Sequence, residues 1–210
     1  MKLKERILIK AVELFNEKGI SATSPNQIAA ALNISSGNLT YHFKTKATLI
    51  KEVYERMDEE SRDFIKMDGY LTLNDFRITM QGFRDFMEKY RFFFHDLVFI
   101  LRNYPEVGEL YVASNLKRFE QGRELFEYFV ETGRMVPEEG GINYDFLTYN
   151  IWMVGAFWNI QSKVISPTSI FDQHKDMLDM TWYMIIPYLT EKGKEEYDQI
   201  NAFLEKEIDG

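Results

Sequence analysis

The sequence predicts an all-α protein of about ten helices, and three observations carry that prediction. Apolar residues recur at spacings of three and four along nearly all of the 210 residues. Ser, Thr, Pro and Gly stand at the ends of these segments, where helices start and stop. No stretch of useful length alternates with the two-residue period of a strand, and no internal repeat or low-complexity tract interrupts the pattern.

Leu3, Ile7, Ala11, Leu14 and Phe15 form the apolar face of a first helix, and Gly19 follows it where a helix end favours glycine. Ser24 is placed to cap a second helix, with Pro25 at its first position and Gln27 completing a capping box. That helix turns Ile28, Ala29 and Leu32 inward and ends near Asn33. Ser35 or Ser36 caps a third short helix reaching about Tyr41. Thr45 caps a fourth, near Lys46–Lys66, whose apolar side carries Leu49, Val53, Tyr54, Met57, Phe64 and Ile65.

Beyond Gly69, the spacing of Phe76, Met80, Phe83, Met87 and Tyr90 predicts a helix over 72–90. Further helices are expected over 92–103, stopped by Pro105, and over 106–132, ended by Gly133. Pro137 to Gly141 reads as a loop. Helices over 144–165 and 168–189 follow, with a break at Ser166-Pro167 between them, and a charged tail helix spans 194–208.

Composition excludes several classes. There is no cysteine, so there is no disulfide framework, thiolate metal site or cysteine nucleophile. Three scattered histidines suggest no metal cluster. The N-terminus is too evenly charged for a signal or transit sequence. The longest apolar runs are broken by His95, Asp96 and Asn159, short of the roughly 18 apolar residues of a membrane span. A cytoplasmic protein with no membrane association is expected.

The net charge of −8 hides a division. Residues 1–51 carry a net +5 and only three aromatics, whereas residues 52–210 carry −13 and twenty-nine aromatics. A small basic module followed by a larger acidic, aromatic-rich one suggests two tasks.

The informative stretch is residues 24–43, where two short helices flank Leu32-Asn33-Ile34-Ser35. A helix-turn-helix needs one residue at positive φ in its turn, and asparagine tolerates that region best after glycine. Ala29, Ala30 and Ala31 are small enough for the helices to approach, with Ile28, Leu32, Ile34 and Leu39 facing inward. Ser36, Gly37, Asn38, Thr40, Tyr41 and His42 are left outward, and short polar side chains beside a glycine suit entry into a DNA major groove. Lys44 and Lys46 are placed to meet phosphates, as are Thr23 and Ser24 at the start of the second helix, and Asn26 and Gln27 in the turn they open are DNA-binding candidates beside them.

These residues resemble the TetR family of bacterial transcriptional regulators. The likeness rests on Ile7, Ala11, Leu14-Phe15 and Gly19, on Ala22-Thr23-Ser24 and Ile28-Ala29, and on Ile34 through Phe43 with Lys46 and Leu49. It covers about residues 1–61. Asn33 departs from the usual turn glycine, and Thr40 stands where a tyrosine is usual, leaving two candidates, Thr40 and Tyr41, for one backbone contact. The resemblance implies a DNA-binding domain over 1–61 and a helical ligand-binding and dimerisation domain over 62–210. It implies a homodimer on a double-stranded DNA operator, and a repressor released when a small-molecule effector swings the fourth helix. Activation, or response to a protein partner through the same fold, is the alternative.

No cofactor, metal or catalytic residue is expected. The sequence has no nucleophile elbow, phosphate loop, zinc-protease motif or EF-hand. For the effector, a cavity between the 72–90, 106–132 and 144–165 helices is expected, walled by aromatics that otherwise form core. Its polar candidates are Gln81, Arg84, His95, Arg102, Asn115, Asn150 and Asn159, with Trp152. Gly155-Ala156 with Met177, Thr181, Ile185 and Tyr188 suits either a four-helix dimer interface or packing within the chain.

Overall fold

Helix α1 (Leu3–Lys18) exists because one stripe of it is apolar: Ile7, Leu8, Ala11, Leu14 and Phe15 are buried, with Lys and Glu opposite. Gly19 ends it at φ 81°, its N–H donating to the Phe15 carbonyl at 2.9 Å. Helices α2 (Pro25–Ala31), α3 (Ser36–His42) and α4 (Lys46–Ser61) pack in order around it, α2 on α1 and α3, α4 on α1. The computed structural model describes residues 1–165 and 177–208. Among these, the elements are eleven helices and no strand; the only sheet-like pairing is the bridge Met135–Leu189.

The remaining helices are α5 (Leu73–Lys89), α6 (Arg91–His95), α7 (Leu97–Asn103), α8 (Pro105–Glu131), α9 (Tyr144–Ile165), α10 (Met177–Ile185) and α11 (Glu191–Ile208). A 3-10 turn at Ile186–Tyr188, with Pro187 inside it, follows α10.

Two compact units result. The first is Met1–Arg62 with Met87–Asn115; the second is Asp63–Phe86 with Leu116–Gly210. The first unit is therefore assembled from two stretches of chain. Its core joins Phe15 to Phe92, with ring centroids 5.3 Å apart, and Tyr54 to Phe93 at 5.3 Å. Polar bonds add to the seam. Asn16 donates through Nδ2 to the Lys89 carbonyl at 2.7 Å and accepts the Phe92 N–H at 3.0 Å. Asp96 accepts the Ile20 N–H at 3.1 Å. The core of the second unit is Leu73, Phe76, Met80, Leu125, Phe126, Phe129, Tyr144, Leu147 and Trp182 with their neighbours.

Several expectations need correction. Helix α4 stops at Ser61, not near Lys66; Phe64 instead packs edge-on against Phe83 and Phe86 at 4.8 and 5.7 Å. The single helix expected over 92–103 is two, because Asp96 leaves helical geometry (φ −99°, ψ 14°) while its carboxylate reaches Ile20. Pro105 opens α8 at its first position, where its missing N–H costs no bond. The tail helix starts at Glu191 because Thr190 caps it, accepting the Gly193 N–H at 3.2 Å. The expected break at Ser166-Pro167 and the start of the helix after it lie outside the described residues.

Gly155 and Ala156 are buried, as are Met177, Thr181 and Ile185, and α9 and α10 pack together within the chain. What the pair leaves exposed is a different stripe: Phe146, Tyr149 and Met153 on α9, at 69, 48 and 36% exposure, and Tyr183 on α10 at 55%.

Candidate nucleic-acid interface

The helix-turn-helix depends on three local devices. First, Ser24 and Gln27 form a reciprocal capping box, Ser24 Oγ accepting the Gln27 N–H at 3.3 Å and Gln27 Oε1 accepting the Ser24 N–H at 2.7 Å. Second, Asn33 sits at φ 54°, the only non-glycine residue at positive φ among those described. The Ile34 N–H then returns to the Ala29 carbonyl at 3.0 Å, closing the turn. Third, Ser35 rather than Ser36 caps α3, accepting the Asn38 N–H at 3.1 Å. Ile28, Ala29 and Leu39 are buried between the helices, and Leu32 and Ile34 half-buried; Ala30 and Ala31 are exposed, so Ala29 alone makes the close approach. Ser36 Oγ lies 3.0 Å from Asn26 Oδ1 and donates to it, fixing α3 against α2.

The turn gives a direct test. Replacing Asn33 with glycine is expected to change stability by less than about 0.5 kcal/mol, whereas valine costs about 1–2 kcal/mol. The shift in the urea unfolding midpoint measures this, and a valine variant as stable as the parent contradicts the left-handed turn.

Ser36, Gly37, Asn38, Thr40 and Tyr41 are all exposed, so α3 presents one polar face. A Cβ at Gly37 would meet only Ser35 Oγ, at 3.8 Å, which leaves open space beside that position. Thr40 donates its hydroxyl back to the Ser36 carbonyl at 2.9 Å. Tyr41 is 85% exposed, its ring meeting that of half-buried His42 edge-on at 5.3 Å. Ser24, Asn26, Gln27 and Lys44 are exposed around this face.

Two residues are placed differently from expectation. Thr23 is 1% exposed, and its hydroxyl donates to the carbonyls of Leu14 and Gly19 at 3.2 and 2.8 Å. Its side chain fastens the α1–α2 corner and is not presented outward. Lys46 is half-buried, and its ammonium donates to the Ile20 carbonyl; burial lowers its pKa from the ordinary lysine value. With Asp96 holding the Ile20 N–H, both backbone polar groups of Ile20 are held by side chains. Asp96 and Asn16 support the α1 end across 76 residues of sequence, a separation at which spacing carries no signal.

Comparison with known proteins matches this arrangement. The family described as "Bacterial regulatory proteins, tetR family" matches residues 7–53, and "Bacterial transcriptional repressor" TetR matches residues 48–197. The chain belongs to the TetR family. Its TetR-family relatives include the biofilm operon icaADBC HTH-type negative transcriptional regulator IcaR of Staphylococcus epidermidis, 25% identical over 169 residues, covering 78% of this chain and 89% of the relative. IcaR of Staphylococcus aureus strain Newman is 22% identical over 210 residues, covering 97 and 100%. A solved TetR-family transcriptional regulator from Marinobacter aquaeolei VT8 superposes with a TM-score of 0.84 at 28% identity, covering 98% of each chain. The chain is thus a TetR-family transcriptional regulator, from a family of regulators rather than enzymes. Among the described residues, no helix is long and apolar enough to cross a membrane.

The polar residues expected to line an effector cavity are placed one by one as follows. His95, Arg102 and Asn150 are exposed, the first two in the last turns of short helices. Asn115 is buried but donates to the Tyr111 carbonyl of its own helix at 2.8 Å. Gln81 and Arg84 are half-buried on α5, and Arg84 bonds Asp85 at 3.1 Å. Trp152 packs edge-on against Phe119 at 5.8 Å and beside Tyr149 at 5.9 Å. The Asn159 side chain lies outside the described residues. A cleft of about 610 Å³ opens elsewhere in the second unit, between the start of α5 and α11, and none of the eight lines it.

Proposed function

We propose that this regulator is a repressor that binds a double-stranded DNA operator as a homodimer, and that a small-molecule effector releases it. The observation carrying this reading is the exposed polar face of α3, held by a left-handed Asn33 and two capped helix starts. Such a face carries donors and acceptors at groove depth with no bulky side chain before Asn38. Repression is favoured by the negative regulators among the relatives.

Roles divide by what each side chain has free. Ser36, Gly37 and Asn38 stand at the N-terminal end of α3 and read base edges, with Asn38 the residue whose amide suits adenine. Tyr41 rather than Thr40 takes the phosphate contact, since the Thr40 hydroxyl is spent on Ser36 and the Tyr41 ring stands in solvent. His42, Lys44, and the α2 start with Ser24, Asn26 and Gln27 meet the backbone alongside; Lys46 reaches a phosphate by leaving the Ile20 carbonyl. The dimer forms through Phe146, Tyr149 and Met153 of α9 with Tyr183 of α10, exposed apolar side chains on two helices already packed together. Release is a population shift: an effector acts only by binding better to the geometry that misfits the two half-sites.

Two variants test the readout. Asn38→Ala is expected to change the preferred base at one position of each half-site by about 1–3 kcal/mol, whereas Lys44→Ala weakens all sequences alike. Selection from a randomised DNA pool, with each protein, measures both. An unchanged preference profile for Asn38→Ala removes that residue from base readout.

A further inference from the structure

We propose that the cleft between the N-terminal end of α5 and α11 binds a small amphipathic carboxylate, whose charged head pairs with Arg134 and whose apolar part lies along Ile200 and Phe203. The proposal is independent of the DNA-binding reading.

The argument starts from Arg134. It is only 2% exposed, yet it lines this cleft of about 610 Å³, a size typical of small-molecule sites. Its guanidinium has five N–H donors in a fixed fork. Nε donates to Glu196 at 2.6 Å, and Nη2 donates to the Tyr70 hydroxyl. Nη1 is buried and has no partner among the described residues. A buried, unpaired guanidinium nitrogen is costly, and such groups in native proteins call for an acceptor.

Glu196 does not supply it: its Oε2 accepts Nε, and its Oε1 accepts the Leu73 N–H at the start of α5 at 2.8 Å. The edge left free is the end of the fork, Nη1 with Nη2, which is the edge a carboxylate takes with two parallel bonds. Tyr70 occupies half of that edge. It is 69% exposed and its ring lies over the guanidinium, centroid 4.8 Å from Cζ, so its hydroxyl can return to water when an anion arrives. Arg77 adds a second cation on the same wall, with its Nε held by the neutral Asn74 amide at 3.0 Å. Lys192 lines the cleft as well, so three cationic side chains stand against two carboxylates, Glu195 and Glu196, a formal excess of one positive charge.

The apolar part of the lining selects the rest of the ligand. Ile200 and Phe203 lie three apart on α11 and line the cleft, and Phe203 is 62% exposed, an aromatic with most of its surface uncovered. A charged head beside a buried arginine and an apolar strip one helix turn long define an amphipathic acid rather than an inorganic anion or a neutral lipid.

The test is titration calorimetry of the full chain with decanoate, 1-decanol and acetate. Decanoate is expected to saturate one site per chain, with decanol and acetate each at least about tenfold weaker. Phe203→Ala, which alters an exposed residue, is expected to weaken decanoate about tenfold, and Arg134→Gln to abolish its advantage over decanol. If Arg134→Gln fails to fold, the decanoate-to-decanol ratio of the parent and the Phe203→Ala titration decide alone. Equal binding of decanoate and decanol, no saturable binding of decanoate, or binding unaffected by Phe203→Ala overturns the proposal.

Discussion

Operator affinity is expected to fall roughly a thousandfold between 50 and 200 mM salt. Each phosphate neutralised releases condensed counterions, and a dimer making about six or more such contacts has a log–log slope near −5. The net charge of the whole chain works against a steep slope. Residues 52–210 carry −13, which repels DNA at low salt, and added salt screens that repulsion. A steep loss therefore reports the local basic excess of residues 1–51 overcoming the rest of the molecule. Lys44→Ala should reduce the slope by about one per subunit. Fluorescence anisotropy with one labelled operator across a salt series measures both quantities. Tight binding insensitive to salt contradicts a phosphate-anchored groove reader.

The second large effect concerns assembly. Phe146→Glu combined with Met153→Glu is expected to leave the fold intact, because both side chains are exposed at 69 and 36%. Placed on the proposed dimer stripe, two carboxylates per subunit would be desolvated against their symmetry mates. The variant should sediment as a monomer. Its affinity for a full operator should drop by about 10²–10⁴, the gain that joining two half-site contacts provides, while half-site affinity stays unchanged. A variant that remains dimeric moves the interface elsewhere. A monomer with full operator affinity removes dimerisation from the mechanism.

Local chemistry was the part readable from sequence, and the examples share one cause. Asn33, the capping box at Ser24 and Gln27, and the Thr45 cap, which accepts the Thr48 N–H at 3.1 Å, are set by residues within three or four positions. Short-range steric and hydrogen-bonding rules act at that range. What escaped involves partners far apart in the chain. Thr23 looked like a phosphate donor because its type fits, but the Leu14 carbonyl nine residues earlier claims its hydroxyl. The break at Asp96 is invisible in a continuous apolar run, since its cause is Ile20. Gly155-Ala156 marks close helix approach in any context; periodicity alone does not say whether the approaching helix belongs to the same chain. Polar groups set among aromatics along the chain need not point inward, and His95, Arg102 and Asn150 face solvent. A lone arginine after a glycine gives no hint in sequence of the 98% burial of Arg134.

The first unit has a bearing on how such regulators can be recombined. Because it takes in Met87–Asn115 as well as Met1–Arg62, a reading head cut out after residue 62 would lose the rings against Phe15 and Tyr54 and the acceptor for the Ile20 N–H. Chimeras that graft a foreign recognition module onto this chain should therefore exchange residues on the α3 surface alone, or transplant both stretches together. The swappable part is a discontinuous piece of chain, so a single crossover in the gene cannot move it whole.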